Sequence, residues 1–145
     1  MKRKFIGIVA AAAALAFALC LAGCSSGASG DSSIQAGLPE WANEAELTEQ
    51  TQELIDQYNA RDFDSVAKQC GTLGVSAEDF AESGNPILDQ LGAFKSFGDV
   101  SYMNGKAKDG TPYATVVQMA SYENGSAQFT VSFNEDDTVS GFYIK

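Results

Sequence analysis

The stretch YENGSAQFTVSFNEDDTVSGFYIK, residues 122–145, decides the fold because apolar and polar residues alternate along it. Phe129, Val131 and Phe133 fall on one face of an extended chain, and the polar residues between them fall on the other. This period of two predicts a strand over 126–133 with one buried face and one wet face.

Three further strands extend this pattern in both directions. Alternation predicts two strands before it, over 97–106 and 113–122, and one after it, over 138–144. Asn124-Gly125 predicts a type I′ turn between the second and third strands, because that turn needs positive φ at both central residues. The sequence therefore predicts a four-stranded antiparallel sheet.

Helical periods replace the alternation in the preceding part of the chain. Asn43 with Glu46 forms a capping pattern that predicts a helix over about 44–59. Asp62 predicts the cap of a second helix, whose apolar stripe ends at Cys70. Since free cysteines are among the most buried residues, we expect this thiol to lie in the core.

Two more helix starts follow before the strands. Ser76 with Asp79 predicts one short helix, and Asn85-Pro86 predicts another that ends before Gly92. Helices followed by strands are typical of an α+β domain, which we expect over 41–145 with the helices packed on one face of the sheet.

The N-terminal end of the chain has the features of an export signal. Three cations at 2–4 precede an apolar run over 5–22, and Leu-Ala-Gly-Cys occupies 21–24. This resembles the lipobox of bacterial lipoproteins, which implies a signal peptide over 1–23 and a lipid on Cys24. A retained membrane span is the alternative, but the run is at the short limit and no Lys or Arg cluster follows it.

The predicted mature chain begins with a tether and carries a strong negative charge. Residues 24–40 are rich in Ser, Gly and Ala, which predicts a flexible segment between the membrane and the domain. Loss of the three leader cations changes the net charge from −10 to −13. We expect no nucleic acid partner, because like charges repel. The predicted location is the extracytoplasmic face of the cell membrane, held by the lipid on Cys24.

The sequence has no His, which removes most catalytic and metal-binding signatures. We expect no cofactor and no metal, and we interpret Asn134 to Asp137 as a charged hairpin tip rather than a calcium loop. No catalytic residue is assigned. Asp99 near Tyr102 leaves open an enzyme that uses an acid–base pair.

Three stretches carry a further resemblance, which covers about residues 45–145. They are LIDQYNARDFDSVAKQ (54–69), LGAFKSFGDV (91–100) and the closing stretch quoted above. Together they resemble a bacterial family of unknown function whose expected architecture is similar to the nuclear-transport-factor-two or cystatin-like fold. The resemblance implies helices that clasp a strongly curved four-stranded sheet.

That fold implies a hollow between the sheet and the helices. The candidate wall residues, which would also make an ordinary core, are Tyr58, Phe63, Phe80, Phe94, Tyr102, Phe129, Phe133 and Phe142. The resemblance leaves open a small-molecule or protein ligand bound without catalysis, and the Asp and Tyr enzyme is the alternative. The oligomeric state stays open, with a dimer as one option.

Replacing Cys24 with Ala tests the predicted anchor. We expect the variant to lose fatty-acid labelling and to accumulate as an unprocessed precursor or leave the membrane fraction, because the acceptor sulfur is gone. Cys20→Ala is the matched control and should label as the natural chain does. Unchanged labelling of Cys24→Ala would contradict the assignment.

Overall fold

The structure is a computed structural model that describes residues 34–145. Its elements are β1 (Gln35–Ala36), α1 (Glu44–Asn59), α2 (Phe63–Gln69), a 3-10 turn (Gly71–Leu73), α3 (Ala77–Leu91), β2 (Phe94–Lys106), β3 (Pro112–Tyr122), β4 (Ser126–Asn134) and β5 (Val139–Ile144). The strands form one antiparallel sheet in the order β1-β2-β3-β4-β5, and the three helices pack against one of its faces. The predicted α+β class is confirmed, whereas the signal peptide and Cys24 lie outside the described residues.

The sheet has five strands, so the predicted number of four is wrong. The additional strand, β1, pairs with the edge of β2, where Gln35 lies opposite Asn104 and Ala36 lies opposite Met103. The Asn104 side chain also donates to the Gly37 carbonyl oxygen over 2.8 Å. Two residues without alternation give no signal in the sequence. Part of the segment that was predicted as a flexible tether is therefore paired with the sheet.

β2 is longer than predicted because two irregularities interrupt its alternation. It begins at Phe94 rather than at Phe97, and its register against β3 shifts once before Ser96 and again before Val100. Each shift inserts an extra residue into β2, which moves the following side chains to the opposite face. The sequence period is lost at those points.

α1 and α2 begin at the predicted caps. The Asn43 side chain accepts bonds from the backbone N–H groups of Ala45 and Glu46. Asp62 accepts a bond from the backbone N–H of Ser65 in the same way. These short polar side chains satisfy donors that the first helical turn leaves free.

α3 is one continuous helix, so the prediction of two short helices is wrong. Its first turn has the predicted cap, in which Ser76 and Asp79 bond reciprocally. Pro86 lies inside the helix and removes one backbone hydrogen bond. Phe80 and Leu88 are buried on the same helix face before and after that proline. We infer that burial of this apolar face compensates for the lost bond.

The Asn124-Gly125 stretch does join β3 to β4, but the predicted type I′ turn is wrong. Neither residue has a positive φ. Asn124 instead covers the end of α3. Its backbone N–H donates to the Leu91 carbonyl oxygen at 2.9 Å, and its side-chain Nδ2 donates to the backbone carbonyl oxygen of Gln90 at 3.3 Å. Gly92 has the positive φ, at 76° with ψ at −156°, a region that other residues rarely enter.

Cys70 is fully buried and free, which confirms the predicted core position. It lies at the C-terminal end of α2, where its backbone N–H donates to the Val66 carbonyl oxygen. Burial raises the pKa of the thiol to about 11, because the charged thiolate loses its hydration in the core. The thiol is therefore protonated and unreactive at neutral pH.

Gly92 and Gly125 form a matched pair for a test of the turn. A Cβ at Gly92 would lie 2.9 Å from Asn124 Nδ2, whereas a Cβ at Gly125 would meet only Leu91 Cδ2 at 3.9 Å. We expect Gly92→Ala to lower the free energy of unfolding by about 2 kcal/mol through φ strain and this clash. Gly125→Ala should change it by less than about 0.5 kcal/mol. Urea unfolding curves measure both, and equal effects would contradict the assignment.

The buried thiol predicts a pH dependence of stability. Because the folded-state pKa of Cys70 is raised to about 11, the unfolded chain loses its thiol proton first as the pH rises above about 9. The free energy of unfolding should therefore fall between about pH 9 and pH 11. Cys70→Ala should weaken this fall, leaving the part due to Tyr58 and Tyr122, whose pKa values burial raises to about 12. An unchanged slope in that variant would contradict the prediction.

Candidate functional site

The eight side chains predicted to line an inner hollow lie in the core or against it. Five of them are buried, namely Tyr58, Phe63, Phe80, Phe129 and Phe133, and three are partly buried, namely Phe94, Tyr102 and Phe142. The Tyr58 ring lies 5.6 Å from the Phe63 ring and 5.9 Å from the Phe129 ring, both edge to face. Such contacts are typical of a packed aromatic core.

Asp99 and Tyr102, the alternative catalytic pair, have different environments. The Tyr102 hydroxyl lies 2.8 Å from the Thr48 hydroxyl on α1, which fixes the ring between the sheet and that helix. Asp99 is exposed and lies at the second irregularity of β2. The pair therefore has no carboxyl group buried in an apolar pocket, which is the usual setting of a catalytic carboxylate.

A groove of about 830 Å³ lies on the face of the sheet opposite the helices. It is lined by Ile34, Met103, Ala107, Asp109, Thr111, Tyr113, Thr115, Thr130, Ser132, Asn134, Glu135, Asp136, Ser140, Gly141 and Tyr143. We call this set the outer groove. Its volume falls in the range of ligand-binding clefts.

Two tyrosines form walls of the outer groove, and glycines shape the space beside each ring. Tyr113 lies opposite Gly105 in the sheet, where a Cβ would be 2.5 Å from the Tyr113 hydroxyl oxygen. The ring therefore occupies the space that a side chain at this position would fill. Tyr143 lies beside Gly141, and 70 % of its surface is exposed. A large apolar side chain with that exposure is available to a ligand.

The floor of the outer groove is made of short polar side chains from adjacent strands. Thr115 and Ser132 face each other across β3 and β4, and their hydroxyl oxygens are 2.8 Å apart. Thr130 lies two residues before Ser132 and therefore on the same face. Hydroxyl groups both donate and accept hydrogen bonds, so this floor suits a polar ligand.

Carboxylates lie at one end of the outer groove, where two hairpin loops meet. Asp109 comes from the loop between β2 and β3, and Asp136 comes from the loop between β4 and β5. The backbone N–H of Thr111 lowers the pKa of Asp109, and the Thr138 hydroxyl lowers that of Asp136, because both donate to the charged form. Both carboxylates are therefore ionised at neutral pH.

The sequence contained part of the signal for the outer groove. It predicted a wet face on the sheet and a charged hairpin tip at Asn134 to Asp137, and the structure confirms that tip between β4 and β5. Tyr113 and Tyr143 were not singled out. Each tyrosine is next in sequence to an inward-facing residue, Ala114 or Phe142, so alternation places both tyrosines on the outward face.

A smaller cavity of about 370 Å³ lies near the C-terminal ends of α1 and α3. Arg61 lines it with φ at 59° and forms an ion pair with Asp89 at 2.5 Å. Asn59 also lines it and accepts a hydrogen bond from the Tyr122 hydroxyl. Since the Arg61 guanidinium is already paired, this cavity offers a weaker site than the outer groove.

Within residues 34–145, no helix is long and apolar enough to cross a membrane. In the same range, no three metal-binding side chains of Cys, Asp or Glu cluster closely enough to hold an ion.

Comparisons with known proteins support the fold and give the family. A protein from Ruminococcus gnavus ATCC 29149, solved by NMR, is 26% identical, with a TM-score of 0.66; the alignment covers 76% of this chain and 97% of that one. No curated protein matches. Residues 51–142 match the family model described as "Protein of unknown function (DUF3887)". Because this match spans more than half of the sequence, the chain belongs to that family of unknown function.

Proposed function

We propose that the protein is a membrane-anchored extracytoplasmic lipoprotein whose domain binds a ligand in the outer groove without catalysis. The observation that carries the proposal is the exposure of Tyr143 beside a groove of about 830 Å³, on the sheet face that no helix within residues 34–145 covers. An exposed aromatic wall with a polar floor is typical of a recognition surface.

The chemistry of the outer groove favours binding over catalysis. Its lining has no His, Cys, Lys or Arg, which leaves carboxylates and hydroxyls as the reactive groups. Hydrogen bonds lower the pKa values of Asp109 and Asp136, so neither is a strong general base at neutral pH. The short floor hydroxyls, Thr115 and Ser132, are bonded to each other and have no base beside them in this lining.

The lipid anchor is part of the same proposal and is supported by Leu-Ala-Gly-Cys at 21–24, after a charged and apolar leader. Ile34 lines the outer groove, and β1 follows it directly along the edge of β2. A lipid on Cys24 would therefore be joined to the sheet by the short segment that ends at the groove. The cystatin-like architecture stays a proposal as well, supported by the helices packed on a single face of a bulged antiparallel sheet.

A matched pair of substitutions on β4 tests the site. Thr130 lines the outer groove, whereas Gln128, two residues earlier on the same face, does not. We expect Thr130→Trp to fill the groove and Gln128→Trp to leave it open. Ligands found for the full chain in nonionic detergent, from peptide, saccharide and small-molecule sets, should bind the Gln128 variant as tightly as the natural chain. They should lose at least about tenfold in affinity for the Thr130 variant.

The opposite pattern would contradict the proposal. Ligands that bind the Thr130→Trp variant with unchanged affinity would place the site outside the groove. Turnover of a hydrolase or isomerase substrate that Asp99→Asn abolishes, with the fold retained, would support the enzyme instead.

A further inference from the structure

We propose that the outer groove binds an extended polypeptide segment that carries Lys or Arg side chains, with the cationic groups placed between the two acidic hairpin loops. This inference rests on the proposed function, because it names the ligand class of the same groove. It is carried by charge, by the length of the groove and by its lining.

The charge of the groove is of one sign. Asp109, Glu135 and Asp136 line it, and no Lys or Arg does. Two of these residues come from one loop and the third from another, so a ligand at that end meets carboxylates from both sides. Complementary charge of this kind selects partners and speeds their encounter.

Each of the two aspartates retains an oxygen for a ligand. Asp109 Oδ1 accepts from the Thr111 backbone N–H at 3.0 Å. Asp136 Oδ1 accepts from the Thr138 hydroxyl at 2.6 Å. Their loops therefore hold the carboxylates in place through one oxygen, and the other oxygen of each can accept from an ammonium or guanidinium group.

The dimensions of the groove fit an extended chain. Tyr113 lies opposite Asn134, and Tyr143 lies opposite Thr130, so the two walls are four positions apart along β4 and on strands either side of it. Strand geometry puts them roughly 16 Å apart. About five residues of extended polypeptide span that distance.

The lining suits the parts of such a segment. The hydroxyls of Thr130 and Ser132 lie where they can bond to peptide groups. The rings of Tyr113 and Tyr143 offer faces on which Lys and Arg side chains pack their apolar stems and their charges.

Other occupants fit the groove less well. A second copy of the mature chain carries the same net charge of −13, and its acidic loops would repel those of the first. In the predicted mature chain, the segment from Cys24 to Ile34 has Asp31 as its one charged residue, which has the wrong sign. Nucleic acids and anionic lipids are excluded by the same repulsion.

Calorimetric titration of the full chain in nonionic detergent tests the inference. The probes are three blocked pentapeptides, in which threonines alternate with Lys, with Gln or with Glu. We expect the Lys peptide to bind at least about tenfold more tightly than the Glu peptide, with the Gln peptide between them, and the difference to shrink at high salt.

A charge-matched pair of double variants identifies the carboxylates. Asp109→Asn with Asp136→Asn keeps the side-chain shape and both loop bonds while removing two charges from the groove. Glu49→Gln with Glu82→Gln removes two exposed charges from the helices on the opposite face. The first double variant should lower the affinity for the Lys peptide by about fivefold or more, and the second should lower it by less than about twofold.

The outcomes separate this inference from the proposed function. Equal losses in the two double variants, or equal affinity for the three peptides, would overturn the cation preference. If Thr130→Trp abolished peptide binding even though the three peptides bound equally well, the outer groove would still be the binding site, and only the cation preference would be wrong. Binding of the Lys peptide that survives Thr130→Trp would overturn both proposals, and no binding of any peptide at millimolar concentration would overturn the polypeptide ligand.

Discussion

The buried side chain of Gln118 is the interaction on which the shape of this domain depends. Gln118 lies in β3 and is fully buried, although its amide carries both a hydrogen-bond donor and an acceptor. Its nitrogen donates to the Gly98 and Met119 carbonyl oxygens at 2.9 Å, and its oxygen accepts from Gln52 on α1 at 3.1 Å. A buried amide that is satisfied on both sides costs little, whereas an apolar substitute would remove its bonds to the Gly98 carbonyl oxygen on β2 and the Met119 carbonyl oxygen on β3.

That interaction satisfies a carbonyl oxygen at the second irregularity of β2, after which the regular pairing with β3 resumes. Beyond it, Tyr102 points toward α1, and Met103 points to the outer groove. Bulged strands bend and twist more than regular ones. We infer that this bend curves the outer face of the sheet, so that its short polar side chains line a groove. The opposite face is buried around Tyr58 and Phe129.

The sequence predicted those features that depend on local chemistry. The caps at Asn43, Asp62 and Ser76 were readable because a short polar side chain before a helix has one strongly favoured role. β3, β4 and β5 were readable because burial on one face enforces alternation. Cys70 was placed correctly for the same reason, as the end of an apolar stripe.

Features that depend on distant partners could not be read in this way. β1 exists because an edge of β2 is open beside it, and the second irregularity of β2 depends on Gln118, which donates to the Gly98 carbonyl oxygen there. Asn124 suits either a hairpin turn or the cap of a helix, and the position of α3 determines which of the two roles it takes. The outer groove is likewise a product of register, because Tyr113 and Tyr143 are far apart in sequence.

The pairing of β1 determines how a pulling force would enter the domain. From Cys24 to Gln35 the extended chain reaches at most about 40 Å, which limits how far a lipid anchor would let the sheet move from the bilayer. With such an anchor, tension along this linker would act first on the two residue pairs of β1 and on the Gly37 hydrogen bonds beside them. These contacts are few and lie at the sheet edge. They would break before the force reached the core. The linker would then be several residues longer, and the fold around Gln118 would stay intact.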